Sequence, residues 1–522
     1  MSSSSAFDNS FQWPVDLQQL VHSALYDTQT QSFVNSSCNT FFHPVKRPNG
    51  TWFVDRRTGP EGCWDRLPGA WRTYFEAVTD TDEREELLVR LSQGEAEGLP
   101  ESLSAYLTSC RILSLNRTCS PVPVLSYPSA SSSATRISCR APTPAPLVRR
   151  ERTEEEKLAK VNLKNALQAG KSPKKEHEVE NLSRLVGDVQ AEERLTHCID
   201  VGSGRAHLSR ALACPPLDLH VLAIDWSSTQ IVGAERIDQL RADAFLAPDK
   251  GSLTHEVSSL DADGVQAALE RWPPVDSYET CPPALLIALH ACGDLTPNAM
   301  TAFIRAEKDA QRSGARAILV GCCYNMQTPS LFPLSRHFAS LLASGRPMSR
   351  AHLRLTPQSP PTWHLTPGST AAMYASTLKL AYRARFEAEM GAAGIGADHQ
   401  RRVGRISECR SWEEYRERAL KKAEGGLTSA QVQALRFGDG DEGADAEAER
   451  WATALFQLRV FWTLRSWLGP PLETLCVLDR FAYLCEGLRE AAGSDEMRRR
   501  VEVVNIFDQA TGSLRNVALV VR

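Results

Sequence analysis

The stretch Cys198-Ile199-Asp200-Val201-Gly202-Ser203-Gly204-Arg205-Ala206-His207-Leu208-Ser209-Arg210 decides how this chain reads. An apolar strand runs into a glycine turn, and a helix follows at once. Some twenty residues later a second apolar run, Val221-Leu222-Ala223-Ile224, ends on Asp225. Glycines at such a turn let the backbone approach a ligand closely, the helix start offers unpaired N–H groups, and an acid at the next strand end accepts hydrogen bonds from ribose hydroxyls. The combination predicts a nucleoside-cofactor site.

A dinucleotide fingerprint needs a third glycine where helix packs on strand, and that position holds the bulky His207. This disfavours NAD. The run resembles instead the first motif of class I S-adenosylmethionine methyltransferases, with Asp200, Gly202 and Gly204 in place and Ala206 where another glycine is usual. The resemblance implies S-adenosylmethionine as cofactor, with Asp200, Gly202, Ser203 and Gly204 along its methionine side and Asp225 on the ribose. Trp226 then stands beside the adenine, or else simply covers the sheet edge.

At 522 residues the chain is long enough for two or three domains and a large core. Its net charge of -4 gives no global attraction to nucleic acid or to an anionic membrane, so any polyanion site has to be a local patch. Fourteen cysteines with no C-x-x-C pair, in an otherwise ordinary composition, indicate reduced thiols inside a cell, cytoplasm or nucleus. The start, Met1-Ser2-Ser3-Ser4-Ser5, has neither the basic nor the apolar region of a secretory signal. The apolar stretch from Phe456 to Leu484 is interrupted by Arg459, Arg465, Glu473, Asp479 and Arg480, which makes it a buried helical region and not a membrane span.

Residues 1–119 read as a helical module with aromatic anchors such as Trp64, Trp71 and Phe75. Proline and serine dominate 120–148, a composition expected of a linker. Ser172 and Pro173 then suit the N-cap and first turn of a helix. Apolar strands follow near Cys198 to Val201, Val221 to Ile224, Leu285 to Leu289 and Ala317 to Val320, with a weaker one around His255 to Leu260. Helical stretches separate them, and that alternation predicts a parallel, doubly wound sheet. A helix face of Leu472, Leu475, Leu478, Ala482 and Cys485 precedes two more strand-like runs, Val501 to Phe507 and Val517 to Val521. The expected fold is therefore α/β, a Rossmann-like sheet of seven mostly parallel strands whose domain is split into 149–329 and 456–522 by an insertion over 330–455.

Ligands bind beyond the carboxyl ends of strands in such sheets. There the chain places His290-Ala291-Cys292-Gly293-Asp294-Leu295-Thr296-Pro297 and Gly321-Cys322-Cys323-Tyr324-Asn325. Together with Ser172 to Val179, Asp200 to Gly204, His207 to Arg210 and Leu478-Asp479-Arg480, these segments resemble the methyltransferase-like protein 25 family. The resemblance is specific for fold and leaves the acceptor open.

Methyl transfer needs nucleophile, carbon and sulfur in line, plus a base if the acceptor carries a departing proton. His290 is the candidate base and Asp294 its orienting partner, with Tyr324 a third candidate catalytic group. Asp294 also suits a helix cap. The Asn/Asp-Pro-Pro-Tyr signature of adenine N6 methyltransferases is missing, and so is the proline-cysteine context of cytosine C5 enzymes. The His-Ala-Cys-Gly and Cys-Cys pattern is loosely similar to transfer-RNA ribose 2′-O-methyltransferases. Cys292, Cys322, Cys323 and His290 have zinc-ligand chemistry, but adjacent cysteines more often pack a core, so no metal is assigned. Lys175, with Lys174, sits where it could steer a phosphate or the methionine carboxylate. RNA, through the local basic stretch from Arg149 to Lys175, and protein both stay open as acceptor classes; a non-catalytic scaffold that keeps the cofactor pocket is the alternative to an enzyme.

Overall fold

The structure, a computed structural model, describes residues 7, 11–36, 38, 41–46, 52–58, 62–120, 122–127, 165, 167–168, 170–240, 251–273, 282–309, 314–342, 348–395, 403, 406–407, 409–423, 427–436, 444–493, 499–510 and 513–522. They fall into two compact units. One gathers Met1–Val21, Ser114–Pro357 and Leu472–Arg522, and the other gathers His22–Leu113 and Gln358–Pro471.

The first unit is built on an eight-stranded sheet. Among the described residues of the whole chain ten strands occur, in chain order β1 Phe42–Lys46, β2 Trp52–Arg56, β3 Leu125–Tyr127, β4 His197–Val201, β5 His220–Asp225, β6 Ser252–Val257, β7 Ala284–Ala291, β8 Arg316–Gly321, β9 Val501–Asn505 and β10 Val517–Val521. The large sheet runs β3-β9-β10-β8-β7-β4-β5-β6. Its pairs from β8 through β6 are parallel, and β10 joins β8 and β9 antiparallel. This is the mixed α/β, mostly parallel architecture expected of a Rossmann-like methyltransferase fold.

The central strands form because their residues make unbroken apolar runs, as strands covered on both faces require. Leu285, Leu286, Ile287 and Ala288 in β7 and Ala317 to Val320 in β8 are wholly inaccessible. The helix Pro173–Glu193 covers one face with Val179, Leu182, Leu185, Val186 and Val189. It starts as the sequence indicates: the Ser172 hydroxyl accepts the Lys175 N–H at 3.2 Å, and Pro173 occupies the first turn. The helix Gly469–Ala492 buries Leu472, Leu475, Leu478, Ala482 and Cys485 completely, the face its spacing predicts.

Several expectations need correction. The sheet has eight strands, not seven, because Leu125–Tyr127 inside the expected linker pairs with β9 as an edge strand; the rest of that linker, from residue 128, lies outside the described residues. The weak strand near His255 to Leu260 is found at Ser252–Val257. The N-terminal region is not helical throughout. Phe42–Lys46 and Trp52–Arg56 pair as an antiparallel hairpin, and Phe7, Phe11 and Trp13 group with Tyr127 and Phe481 of the first unit. The second unit is otherwise helical, with a core around Tyr382, Phe386, Trp412 and Tyr415. Among the described residues no helix is long and apolar enough to cross a membrane.

Gly487 is where the helix Gly469–Ala492 meets Leu295–Glu307. A Cβ there would lie 2.4 Å from Ile304 Cδ1. Gly487→Ala is therefore expected to destabilise the protein by about 1–3 kcal/mol of overpacking, more than the ~1 kcal/mol that alanine gains in a helix. Thermal unfolding checks it; an unchanged or higher midpoint would mean that the two helices separate freely.

Candidate functional site at the strand ends

The chain order reverses between β4 and β7: β5 and β6 extend the sheet on one side, β7 and β8 on the other. Such a switch point opens a crevice at the carboxyl ends of the two strands. The glycine turn borders it from β4 and the His290 segment from β7.

Gly202 and Gly204 both adopt left-handed backbone, φ +74° and +54°. That turn folds the loop back onto β5: the N–H groups of Gly202 and Ser203 donate to Ile224 O at 2.9 and 3.1 Å, and Gly204 N–H donates to Asp225 Oδ2 at 2.9 Å. Ala206 N–H goes to Ser203 O. The N–H groups of Gly202, Ser203, Gly204 and Ala206 are thus used internally and not offered to a ligand. What the loop does offer is space and one hydroxyl. A Cβ on Gly204 would meet no atom within 4 Å, and the buried Oγ of Ser203 has no hydrogen-bond partner. Ala206 takes the left-handed φ of +56° that glycine would hold more easily, so the missing third glycine is met by strain of about 1 kcal/mol rather than by another turn.

Asp225 is only 6% exposed, and its second oxygen accepts Ser227 N–H at 2.9 Å. Each carboxylate oxygen holds one backbone donor and keeps lone-pair capacity, which suits vicinal hydroxyls. Trp226 beside it is 74% exposed, a large apolar ring left for a ligand to cover. Asp200 is used differently. It is buried, accepts the Ser209 hydroxyl at 2.6 Å, and burial lifts its carboxyl to about 6, with Asp225 adding to the rise while Ser209 and Lys175 oppose it. On the same side Lys171, Arg210, Lys175 and Arg205 surround His207; burial and these four cations push its imidazole down to about 4. Cations thus gather beside the loop although the chain is acidic, two of them in ion pairs, Arg210 with Asp238 and Lys175 with Glu178.

Across the crevice, a β-bulge between Leu289 and Ala291 turns His290 out of β7 with φ +63°. A bulge of this kind re-aims one side chain. His290 Nε2 lies 2.9 Å from Glu178 Oε2, which also takes Lys175 Nζ at 2.8 Å. Glu178 is 1% exposed, and its other oxygen has no hydrogen-bond partner. Burial pushes this carboxyl up, but the bonds from His290 and Lys175 outweigh it and hold it at about 2. This contact of Glu178 with His290 escaped sequence reasoning, for the two sit 112 residues apart and only the helix brings them together.

The other expected catalytic groups are placed elsewhere. Asp294 accepts the N–H and hydroxyl of Thr328, each at 2.6 Å, and makes no side-chain cap on its helix. Tyr324 is 2% exposed beneath the Arg480 guanidinium, 4.6 Å from its ring centroid, and burial raises its phenol; it packs the strand end instead of facing the crevice. Cys292 Sγ lies 3.0 Å from Cys322 Sγ. Hydrogen bonds from its neighbouring thiols, chiefly Cys322, outweigh burial and bring the Cys292 thiol down to about 6. Of the basic stretch, Lys171, Lys174 and Lys175 are described, and residues 149–164 lie outside the described residues. Residues 174–328, which span β4 to β8 and both sides of the crevice, match a family model described as a methyltransferase domain.

Proposed function

We propose, from the premise that residues 174–328 are a methyltransferase domain, that this chain transfers the methyl group of S-adenosylmethionine to an acceptor beside His290, and that the acceptor class is RNA. The observation that carries the reading is the pairing across one crevice of a ribose-competent acid, Asp225, with a carboxylate-oriented imidazole, His290.

When bound, S-adenosylmethionine supplies a methyl group on a sulfonium centre. The residues supply the rest. Asp225 accepts the ribose hydroxyls while it fixes the glycine loop through Gly204. Gly202 and Gly204 admit close approach, Ser203 donates its unpartnered hydroxyl, and Asp200 holds the helix behind them through Ser209. Trp226 covers the adenine. Lys175 and its neighbouring cations favour a carboxylate. Glu178 requires a proton on His290 Nε2, which leaves Nδ1 as the atom that accepts the acceptor's departing proton. Asp294 contributes by pinning the loop after β8 through Thr328. Local positive charge at Lys171, Lys174, Lys175 and Arg205 supports a phosphate-bearing acceptor over an acidic protein.

Methyl-labelled S-adenosylmethionine incubated with the purified chain and with separated RNA and protein fractions tests this. Label is expected in RNA. Label confined to protein would replace the acceptor class. Binding of S-adenosylhomocysteine by calorimetry with no label anywhere would favour a scaffold that has kept its pocket.

A further inference from the structure

Three thiols converge at the ends of β7 and β8. The sulfur atoms of Cys292, Cys322 and Cys323 all lie within 4.8 Å of one another, with Cys322 to Cys323 at 3.6 Å and Cys292 to Cys322 at 3.0 Å. Two thiolates bound tetrahedrally to one zinc at about 2.3 Å stand roughly 3.8 Å apart. The cluster is thus within a fraction of an ångström of a shared-ion geometry at one pair, and the closest pair only has to open. Among the described residues it is the one group of three or more potential ligand side chains.

Exposure sets two of these three cysteines apart from most others in the chain. Cys38, Cys63, Cys110, Cys198, Cys214, Cys476 and Cys485 are buried, as packing cysteines are, whereas Cys292 and Cys323 are partly exposed. Their backbone is held for them. Gly293 N–H donates to Cys323 O at 3.2 Å, Leu295 N–H to Cys292 O at 3.1 Å and Tyr324 N–H to Cys322 O at 2.8 Å. Gly293 adopts φ +56°, and a Cβ there would strike Met326 at 3.0 Å, so the two loops are fitted closely. Ligands preset in this way lose little freedom on binding.

We propose that Cys292, Cys322 and Cys323 bind one thiophilic divalent ion, zinc(II), through three thiolates, with a fourth position open toward solvent. His290, which has the right chemistry for a fourth ligand, is outside the set because its ring nitrogens do not come within 4.8 Å of all three sulfur atoms. Binding releases the protons of the three thiols. The resulting net charge of the site is -1, and Arg515, near enough to Cys323 to act on it electrostatically, offsets it. A Cys292–Cys322 disulfide is the competing use of the pair; it would leave Cys323 without a role.

The test uses the whole reduced chain and the metals alone. Zinc(II) is titrated against a chromophoric chelator, and cobalt(II) serves as the spectroscopic reporter. One equivalent of zinc and a thiolate-to-cobalt charge-transfer band are expected. Cys292→Ser and Cys323→Ser should each weaken zinc binding by roughly 100-fold or more, while Cys409→Ser leaves it unchanged. A wild-type cobalt spectrum without that band overturns the proposal whatever the variants do, and so does a reduced sample that re-forms a Cys292–Cys322 disulfide and takes up no zinc. The readout is independent of methyl transfer, so a chain that binds S-adenosylhomocysteine but not cobalt would fail here alone.

Discussion

His290→Ala is expected to lower the rate of methyl transfer by about 10²–10⁴-fold, the usual range for loss of a positioned general base, while S-adenosylhomocysteine affinity changes less than about threefold. The expectation rests on geometry. A non-glycine residue at φ +63° in a bulge costs on the order of 1–3 kcal/mol, and here the strain aims an imidazole at the crevice mouth. Glu178 then sets its tautomer. Because that carboxyl is held at about 2, below its ordinary 4.5, it stays ionised at neutral pH. Its contribution to stability is full above 4.5 and is lost as the pH falls through about 2, so an acid limb in the rate at pH 5 to 8 would not belong to Glu178. Single-turnover rates with saturating cofactor make the measurement. A His290→Ala enzyme with wild-type turnover would reduce the bulge to a structural device and imply an acceptor with no proton to lose.

Asp225→Ala is expected to weaken S-adenosylhomocysteine binding by about 1–3 kcal/mol, or roughly 5- to 150-fold. Two effects add. The ribose loses its acceptor, and Gly204 and Ser227 lose the carboxylate that fixes their N–H groups. Isothermal titration decides it, with circular dichroism to show that the sheet persists. Asp200→Ala offers a contrast, since Asp200 is engaged by Ser209 behind the loop and its loss should act mainly on stability. Equal affinity for Asp225→Ala and wild type would reject the ribose contact.

The parallel strands β5, β7 and β8 could be read from the chain because each carries a continuous run of buried aliphatic residues, whereas β6, only partly buried, gave the weak signal. β10 lies at Val517–Val521, where its sequence places it, and β5 extends the predicted run by only one residue at each end. β3 escaped because three residues between prolines at 121, 123 and 128 carry no periodicity, and its pairing depends on a partner more than 370 residues away. The hairpin of β1 and β2 was hidden for another reason: aromatic residues there fit a helix face or a pleat equally well, and only pairing decides. In the site, the glycine loop and Asp225 are local and were accessible to reading. The Glu178 to His290 contact, the capture of Asp294 by Thr328 and the burial of Tyr324 are tertiary facts, set by which helix or loop lies over a strand end.

The place of β10 has a consequence for how this protein comes into being. Its neighbour β8 ends at Gly321, and Val517 follows nearly 200 residues later, so on a ribosome the aliphatic edge of β8 waits on the order of 10–40 s for its cover. An uncovered apolar edge is a template for mispairing with other chains. Nascent polypeptide shorter than about 520 residues should therefore be the species that chaperones hold and that aggregates during expression, with release only once the closing hairpin has emerged.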